Sequence, residues 1–276
     1  MENKALQVDI EQIIKVKSEG LHRILPRFVV NYIRRIIHED EVNDVLRRYH
    51  GQDGISFANG LMDEFNVRFN VHREEKIPTT GKLIVACNHP LGGFDGLALI
   101  SLISKYRKDI KFPVNDFLMH VPNLHDIFIP INKVGSNSIE MARQFDEIFS
   151  SDNLILYFPA GICSRRIGEK IQDLEWKKTF VSKARHYQRD ILPIYFNGKN
   201  SNFFYNLANL RKKLGIKANI EMAYLADEFF NQKNSSYDIY IGDLIDYKSL
   251  TPSKSDYKWA QEIRKQVYAL PMNDTP

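Results

Sequence analysis

Short apolar runs alternate with segments of helical periodicity over most of the chain, and this alternation restricts the fold more than any other feature. The runs are rich in β-branched and aromatic side chains, which is typical of strands. They lie at residues 66–72, 82–87, 111–114, 127–131, 154–158, 191–196, 219–225 and 237–241. Helical spacing occurs between or after them, at residues 96–106, 138–149, 177–187 and 258–270. The order predicts an α/β fold, a single domain with a mixed, mostly parallel sheet flanked by helices.

An N-terminal stretch precedes this alternation and has the pattern of a basic amphipathic helix. Apolar side chains recur at a three-then-four spacing from Leu21 to Ile37, and Pro26 marks where the main helix begins. The arginines of this stretch are Arg23, Arg27, Arg34 and Arg35. Such a helix either lies on an anionic membrane surface or packs on the main domain, and the pattern leaves both open. We expect an N-terminal helical extension over residues 1–50 and the main domain over residues 55–272, with a turn between them.

Composition and the first residues exclude several classes of protein. Of the 276 residues, 43% are hydrophobic and 26% charged, which is the balance of a globular protein with a large core. The N-terminus lacks a secretory signal and no apolar run is long enough to cross a bilayer, so we expect a cytoplasmic protein with peripheral membrane contact. Cys87 and Cys163 are too few for a disulfide framework and are expected to be small buried residues. The net charge of +4 suits an acidic partner.

The strongest candidate for chemistry is the polar turn that follows the apolar run at residues 82–87. It contains His89 and Asp95, and active sites of α/β proteins gather at the carboxyl ends of strands. An imidazole titrates near neutral pH and can act as a general base, while a carboxylate at its second nitrogen fixes the tautomer. A purely structural interpretation is also open, in which Asp95 caps a helix, Gly92 and Gly93 form the turn, and His89 satisfies a backbone group.

Three segments in the same order resemble the phospholipid/glycerol acyltransferase superfamily. They are the Asn-His-Pro turn at residues 88–90, the block at residues 158–166 and the apolar run at residues 191–196. Residues 128–133 are similar to a further block of that superfamily. The form of the first turn and residues 173–180 look most like the bacterial branch called hemolysin-like, which includes O-acyltransferases that make amino-acid lipids such as ornithine or glycine lipids.

The resemblance implies an enzyme that moves a fatty acyl group from a thioester to a lipid hydroxyl. His89 would deprotonate the acceptor hydroxyl and Asp95 would orient His89. Substrate binding is implied for Gly92, Gly93, Phe158, Pro159, Gly161, Ser164, Arg165 and Arg166. The acceptor would be an amino-acid lipid or a lysophospholipid, at the inner face of the cytoplasmic membrane.

The donor implied by the resemblance is the thioester of acyl carrier protein or coenzyme A, with no bound cofactor. Both donors are acidic, so basic side chains are candidates for the surface that receives them. These are Lys170, Lys177, Lys178, Lys183, Arg185, Arg211, Lys212 and Lys213. No metal is expected, because His120, His125 and Asp126 do not complete a zinc pattern. No nucleic-acid partner is expected either, because the chain has no recognised motif for one.

The chain departs from the superfamily pattern at two places. Five residues rather than four separate His89 from Asp95, so the glycine pair must absorb one residue if the carboxylate is to reach the ring. In the second block, the Glu, Thr and Arg of the family are replaced by Ala160, Ile162 and Cys163. The family Arg is associated with the acceptor phosphate, and its loss weakens the case for a phosphorylated acceptor.

Arg165 or Arg166 offers a displaced positive charge that could grip a carboxylate or a phosphate. An exposed basic patch is the equally open structural interpretation of this pair. Two alternatives to the His-Asp mechanism also stay open. Cys163 could be a nucleophile, although the sequence offers it no paired base. A catalytically silent peripheral lipid-binding protein would keep the amphipathic helix and the pocket without depending on His89.

Overall fold

The computed structural model describes residues 8–17, 19–114, 119, 121–130 and 138–273. Within these ranges, seven strands form one sheet and two more form a hairpin. The strands are β1 (Arg68–His72), β2 (Leu83–Cys87), β3 (Ile110–Val114), β4 (Phe128–Pro130), β5 (Leu154–Tyr157), β6 (Arg165–Ile167), β7 (Lys170–Gln172), β8 (Asp190–Phe196) and β9 (Ser236–Ile241). The seven-stranded sheet has the order β1-β9-β8-β2-β5-β3-β4, and β6 and β7 form the hairpin.

The sheet is mixed and mostly parallel, as the sequence predicted. Strands β8 and β9 pair antiparallel, and the other neighbours in the sheet pair parallel. Strand β2 lies between β5 and β8 and is buried along its whole length. Parallel strands covered on both faces are continuous apolar runs of this kind. Because β2, β5 and β8 run in the same direction, the segments that follow them meet at one edge of the sheet.

Helices cover both faces of the sheet. They are α1 (Ile10–Lys17), α2 (Glu19–Ile24), α3 (Arg27–Ile37), α4 (Glu39–Arg48), α5 (Gly54–Glu64), α6 (Gly93–Ile103), α7 (Ser138–Ser150), α8 (Thr179–Tyr187), α9 (Asn202–Lys213), α10 (Leu225–Phe230) and α11 (Asp256–Asn273). Successive side chains of β2 enter opposite cores, because strand side chains alternate between faces. Val85 packs in the core that contains α5 and α6, whereas Ile84 packs in the core that contains α8 and α11.

The N-terminal stretch is helical, with the break at Pro26 that the sequence predicted. Pro26 precedes α3, and its carbonyl accepts the Val29 N–H at 2.9 Å. The stripe is partly packed, since Val29, Ile33, Ile36 and Ile37 are half-buried, and partly exposed, since Phe28 is 73% exposed. Val45 of α4 reaches the main core beside α5. No helix in the described part of the chain is long and apolar enough to span a bilayer.

The prediction of a strand at residues 219–225 is wrong. Residues Ile220–Tyr224 form a 3-10 helix that continues into α10. The apolar residues there resemble a strand, but the Glu221 carboxylate is fully buried against two arginines, and the backbone satisfies itself locally, with Met222 N–H donating to Asn219 O at 3.0 Å. Helices α5 and α9 and the β6–β7 hairpin were not predicted. Residues 131–133 of the block at 128–133 lie outside the described ranges.

Candidate active site

The end of β2 is fixed to the end of β8 by one asparagine side chain. Asn88 is 2% exposed, and its amide donates to Phe196 O at 3.0 Å and accepts the Phe196 N–H at 2.7 Å. These two hydrogen bonds extend the pairing of β2 with β8 by one residue, with the Asn88 side chain in place of the backbone. It therefore holds the next residue, His89, at the carboxyl edge of the sheet.

His89 and Asp95 form a hydrogen-bonded pair. His89 Nδ1 lies 3.0 Å and 3.1 Å from the two Asp95 carboxylate oxygens, and Asp95 also accepts the Leu91 N–H at 2.8 Å. Gly92 absorbs the extra residue of this turn, because it adopts φ 77°, ψ −125° immediately before α6 begins at Gly93. Only glycine enters that region at low cost. The longer His-Asp spacing therefore does bring the carboxylate to the ring.

The charges around His89 set its protonation. Burial lowers the pKa of His89, but the Asp95 charge and hydrogen bond, followed by the Asp173 charge, outweigh burial and leave that pKa above its ordinary value of 6.5. Because Nδ1 is engaged by Asp95, Nε2 is the ring nitrogen left to exchange a proton. The side chain of His89 is 17% exposed, whereas that of Asp95 is fully buried.

Phe158 follows β5 and packs flat against the catalytic candidate. Its ring lies 4.0 Å from the His89 ring at an interplanar angle of 16°. Phe112 of β3 contacts the Phe158 ring edge-on, with 5.4 Å between the ring centres. Strand register explains this contact, since Ala86 pairs with Tyr157 in the parallel β2–β5 ladder. The stack restricts the rotation of the His89 ring.

Asp173 joins the His89 turn to the block at residues 158–166, and the sequence did not predict a site role for it. One carboxylate oxygen accepts the His89 backbone N–H at 3.1 Å and the Ser164 hydroxyl at 2.6 Å, and the other accepts the Trp176 indole N–H at 2.8 Å. Burial raises the pKa of Asp173 despite these donors. Ser164 N–H also donates to His89 O at 2.7 Å. The only sequence signal for this residue was that residues 173–180 resemble the hemolysin-like branch.

Arg165 and Arg166 point to different environments. Arg165 is 1% exposed, and its guanidinium donates to Glu221 at 3.0 Å and to Cys163 O at 2.9 Å. Arg211 completes the buried group, with Nε 2.8 Å from the second Glu221 oxygen. Arg165 is therefore not part of an exposed patch. Arg166 is half-buried and donates to the side-chain oxygens of Asn202 and Asn206 on α9 at 2.6 Å and 3.0 Å.

The remaining residues expected to bind substrate lie in two turns. Gly93 opens α6, and a Cβ at that position would meet no atom within 4 Å. Pro159 is buried and accepts the Lys177 N–H at 3.0 Å. Gly161 is exposed with φ 71°, and a Cβ there would lie 2.8 Å from Lys177 Nζ. Gly92, Gly93, Phe158 and Ser164 thus surround the His89–Asp95 pair, whereas Arg166 is directed towards α9.

Comparisons with known proteins show the family of this chain. The acyltransferase family model matches residues 12–274. The chain belongs to the acyltransferase family. A lyso-glycine lipid O-acyltransferase of Phocaeicola vulgatus is 43% identical over 264 residues, which is 95% of each chain. One from Bacteroides thetaiotaomicron is 39% identical over 95% of this chain and 97% of that protein. The 1-acyl-sn-glycerophosphate (LPA) acyltransferase PlsC from Thermotoga maritima aligns with 90% of this chain and 93% of its own, at 15% identity and a TM-score of 0.47.

Neither cysteine of this acyltransferase has the environment of a nucleophile. Both thiols are free and buried, as the sequence predicted. Burial raises the pKa of Cys163 to about 11, against a smaller lowering by Arg165. A thiol with that pKa stays protonated at neutral pH, and the thiolate is the reactive form. In the described ranges, which leave out His120, no three His, Cys, Asp or Glu side chains are placed to hold a metal ion.

Proposed function

We propose that this acyltransferase moves a fatty acyl group from an acyl thioester to the hydroxyl of a lyso-glycine lipid, with His89 as the general base. The observation that carries the proposal is the His89–Asp95 pair at 3.0 Å, beside the stacked Phe158. The names of two relatives that are 43% and 39% identical over nearly the whole chain support the acceptor. Membership of the hemolysin-like branch is part of the same proposal.

The reaction requires one proton to pass through the imidazole. Asp95 accepts the Nδ1–H, which leaves a lone pair on Nε2. His89 Nε2 takes the proton of the acceptor hydroxyl while the hydroxyl oxygen attacks the thioester carbonyl. The tetrahedral intermediate then expels the thiolate, which recovers the proton from Nε2. An ester bond forms, a thioester bond breaks, and no acyl-enzyme is required.

Arg166 is the residue that we assign to the acceptor headgroup. A glycine headgroup carries a carboxylate, and a planar guanidinium binds a carboxylate through two parallel hydrogen bonds. The buried Arg165 shares Glu221 with Arg211, so its guanidinium is ion-paired in the interior and does not face a ligand. Arg166 is held by two neutral amides, and within the described residues no carboxylate pairs with it. Its charge is therefore available to a ligand.

The donor in this proposal is the thioester of acyl carrier protein or coenzyme A. Of the basic residues expected to receive it, Lys183 and Arg185 are paired with Asp146 and Asp256 at 2.6 Å each. Arg211 is buried in the Glu221 group. The other five are exposed. Lys170, Lys177 and Lys178 belong to the segment that runs from the block at residues 158–166 through Asp173 to α8, whereas Lys212 and Lys213 lie at the end of α9. We assign the donor surface to Lys170, Lys177 and Lys178.

We further propose that the enzyme works at the inner face of the cytoplasmic membrane, with the N-terminal helices on the bilayer surface. Ile24 and Phe28 are 78% and 73% exposed, in a stretch that also presents exposed arginines at 23 and 27. A helix with an apolar face and flanking arginines binds at the boundary between headgroups and acyl chains. The acceptor lipid would then be reached without leaving the membrane.

The test is an acyl-transfer assay with two donors and two acceptors. Acyl carrier protein thioester and acyl-coenzyme A are each offered with a lyso-glycine lipid and with lysophosphatidic acid. The wild type should acylate the glycine lipid, and His89→Ala should lower kcat/KM by about 10²- to 10⁴-fold, the usual contribution of a general base. Equal rates for both proteins would refute the role of His89. No product with any acceptor would favour the silent lipid-binding alternative.

A further inference from the structure

The segment that forms α9 and the residues after it combines exposed apolar and basic side chains. Residues 191–220 contain no aspartate or glutamate. Residues 212–220 are all exposed, and they include Leu214, Ile216 and Ile220, which are 64%, 40% and 42% exposed. Large apolar side chains that are exposed together mark an interaction surface.

The exposed apolar residues of α9 lie on one side of the helix. Phe203 and Leu210 stand seven residues apart and Leu214 follows four residues later, so the three share one helical face. They are 54%, 52% and 64% exposed. The opposite side carries the buried Phe204 and Tyr205. The helix therefore has two apolar faces, one packed on the protein and the other exposed.

Aromatic contacts connect this face to the N-terminal helix α3. Tyr224 lies between the two, with its hydroxyl 2.5 Å from that of Tyr32 and its ring 4.9 Å from the ring of Phe203. Tyr32 is 47% exposed, and Phe28 stands one turn before it on α3. The exposed apolar surface therefore continues from α3 through Tyr224 to α9. We call this surface the α3–α9 face; it consists of Phe28, Tyr32, Phe203, Leu210, Tyr224 and residues 212–220.

The charges of the α3–α9 face favour an anionic partner. Lys212, Lys213 and Lys217 are exposed, and no carboxylate of the described residues forms an ion pair with them. An acidic carrier protein would match the charge alone. The exposed Leu214 and Ile216 lie between these lysines and Phe203 lies further along the face, a combination that matches a phospholipid surface, which offers both negative headgroups and an apolar boundary.

The same segment also reaches the catalytic turn. Leu225, directly after the 3-10 helix Ile220–Tyr224, packs so closely on Gly92 that an added Cβ would lie 3.0 Å from its methyl groups. Met222 lies 4.0 Å from Cys163 through their sulfur atoms. The 3-10 helix therefore touches the exposed face through Tyr224 and Cys163 through Met222, and Leu225 at the start of α10 touches the catalytic turn.

We propose that the α3–α9 face is one membrane-docking surface for anionic phospholipid, in which α9 and residues 214–220 hold the catalytic turn next to the lipid boundary. The N-terminal helices alone do not make up the membrane contact. This inference rests on the proposed function for its purpose, because a lipid acceptor must enter from a membrane, but its physical test does not need the reaction.

The first test is sedimentation of the full chain with vesicles of phosphatidylglycerol and phosphatidylcholine. A Lys212→Glu/Lys213→Glu/Lys217→Glu variant should bind at least about 100-fold more weakly, since each basic residue near an anionic surface contributes about fivefold. A Lys105→Glu/Lys108→Glu/Lys248→Glu variant carries the same change of charge on exposed lysines elsewhere and should lose far less. Wild-type binding should weaken with added salt. Equal losses in the two variants would overturn the proposal.

The second test changes the apolar part of the face. Leu210→Ser/Leu214→Ser should weaken vesicle binding and acylation of acceptor in vesicles, while leaving acylation of acceptor in detergent micelles unchanged. Leu244→Ser removes one leucine elsewhere that is 45% exposed and is the control. If the leucine and lysine variants bind vesicles like the wild type but use acyl carrier protein poorly, the face is a carrier-protein surface and the proposal is wrong. If the wild type binds vesicles through this face but acylates nothing, the proposed function fails and the docking surface stands.

Discussion

Replacing Asp173 tests whether this residue only stabilises the fold or also sets the protonation of His89. In Asp173→Asn, the amide oxygen is expected to stay where Oδ1 accepts the His89 N–H and the Ser164 hydroxyl at 3.1 Å and 2.6 Å. The amide NH₂ then faces the Trp176 indole N–H, where a carboxylate oxygen accepted it at 2.8 Å. Two donors would oppose each other in a site that is fully buried.

The cost follows from that mismatch. A buried donor left without a partner costs about 1–3 kcal/mol, so the free energy of unfolding should fall by about this amount. Trp176→Phe removes the opposing donor. The cost of Asp173→Asn should therefore be smaller by about 1–3 kcal/mol in the Trp176→Phe background, as a double-mutant cycle of denaturant unfolding would measure.

The functional readout is the pH dependence of kcat/KM. The Asp173 charge helps to raise the pKa of His89, and His89 must be neutral to act as a base, so activity falls as pH drops through that pKa. Removing the charge should lower the pKa of His89 and move the acidic limb of the profile to lower pH. Glu228→Gln removes another buried carboxylate, one that accepts the Ser201 N–H at 2.8 Å, and should leave the limb in place. An unmoved limb in Asp173→Asn would refute the positioning role.

Three further substitutions test other parts of the site. Asp95→Asn removes the charge that most raises the pKa of His89, so the acidic limb should move to lower pH and kcat should fall by about 10-fold to 100-fold, the equivalent of one charged hydrogen bond; a wild-type profile would contradict the pair. Gly92→Ala should lower the free energy of unfolding by about 1–3 kcal/mol because of its φ of 77°, whereas Gly93→Ala, with open space around its Cβ, should leave it nearly unchanged; equal urea midpoints would contradict this. Glu221→Gln leaves two buried arginines without their carboxylate and should cost about 3–5 kcal/mol in the same assay, so a wild-type midpoint would show that the group is not a stabilising one.

The sequence was sufficient where the physical cause is local. The run at residues 82–87, the following turn and the helix that contains Asp95 were all predicted, because apolar periodicity and two adjacent glycines describe a strand, a turn and a buried helix without reference to the rest of the chain. His89 and Asp95 are six residues apart, with His89 in the turn and Asp95 at the start of α6. Their pairing required only that the turn accommodate one extra residue, and Gly92 allows this because it adopts φ 77°.

The sequence failed where charges from distant segments decide the structure. Arg165 carries no local sign that it is buried, and its pairing depends on Glu221, which lies 56 residues further along the chain. The same carboxylate lies in the segment at residues 219–225, where apolar residues predicted a strand but the backbone forms a 3-10 helix and Glu221 pairs with Arg165 and Arg211.

Burial of Arg165, Arg211 and Glu221 also limits which arginines can bind a substrate headgroup. Since Arg165 and Arg211 share one carboxylate, they hold the 3-10 helix against the block at residues 158–166 and have little charge to offer a ligand. By the family resemblance, Cys163 stands where an arginine associated with the acceptor phosphate is expected, and Arg165, two residues later, is buried. In the proposed function, Arg166 is the cation left for the acceptor headgroup, and a single guanidinium suits a carboxylate. If lysophosphatidic acid were acylated as fast as a glycine lipid, that link between the buried charges and acceptor choice would be refuted.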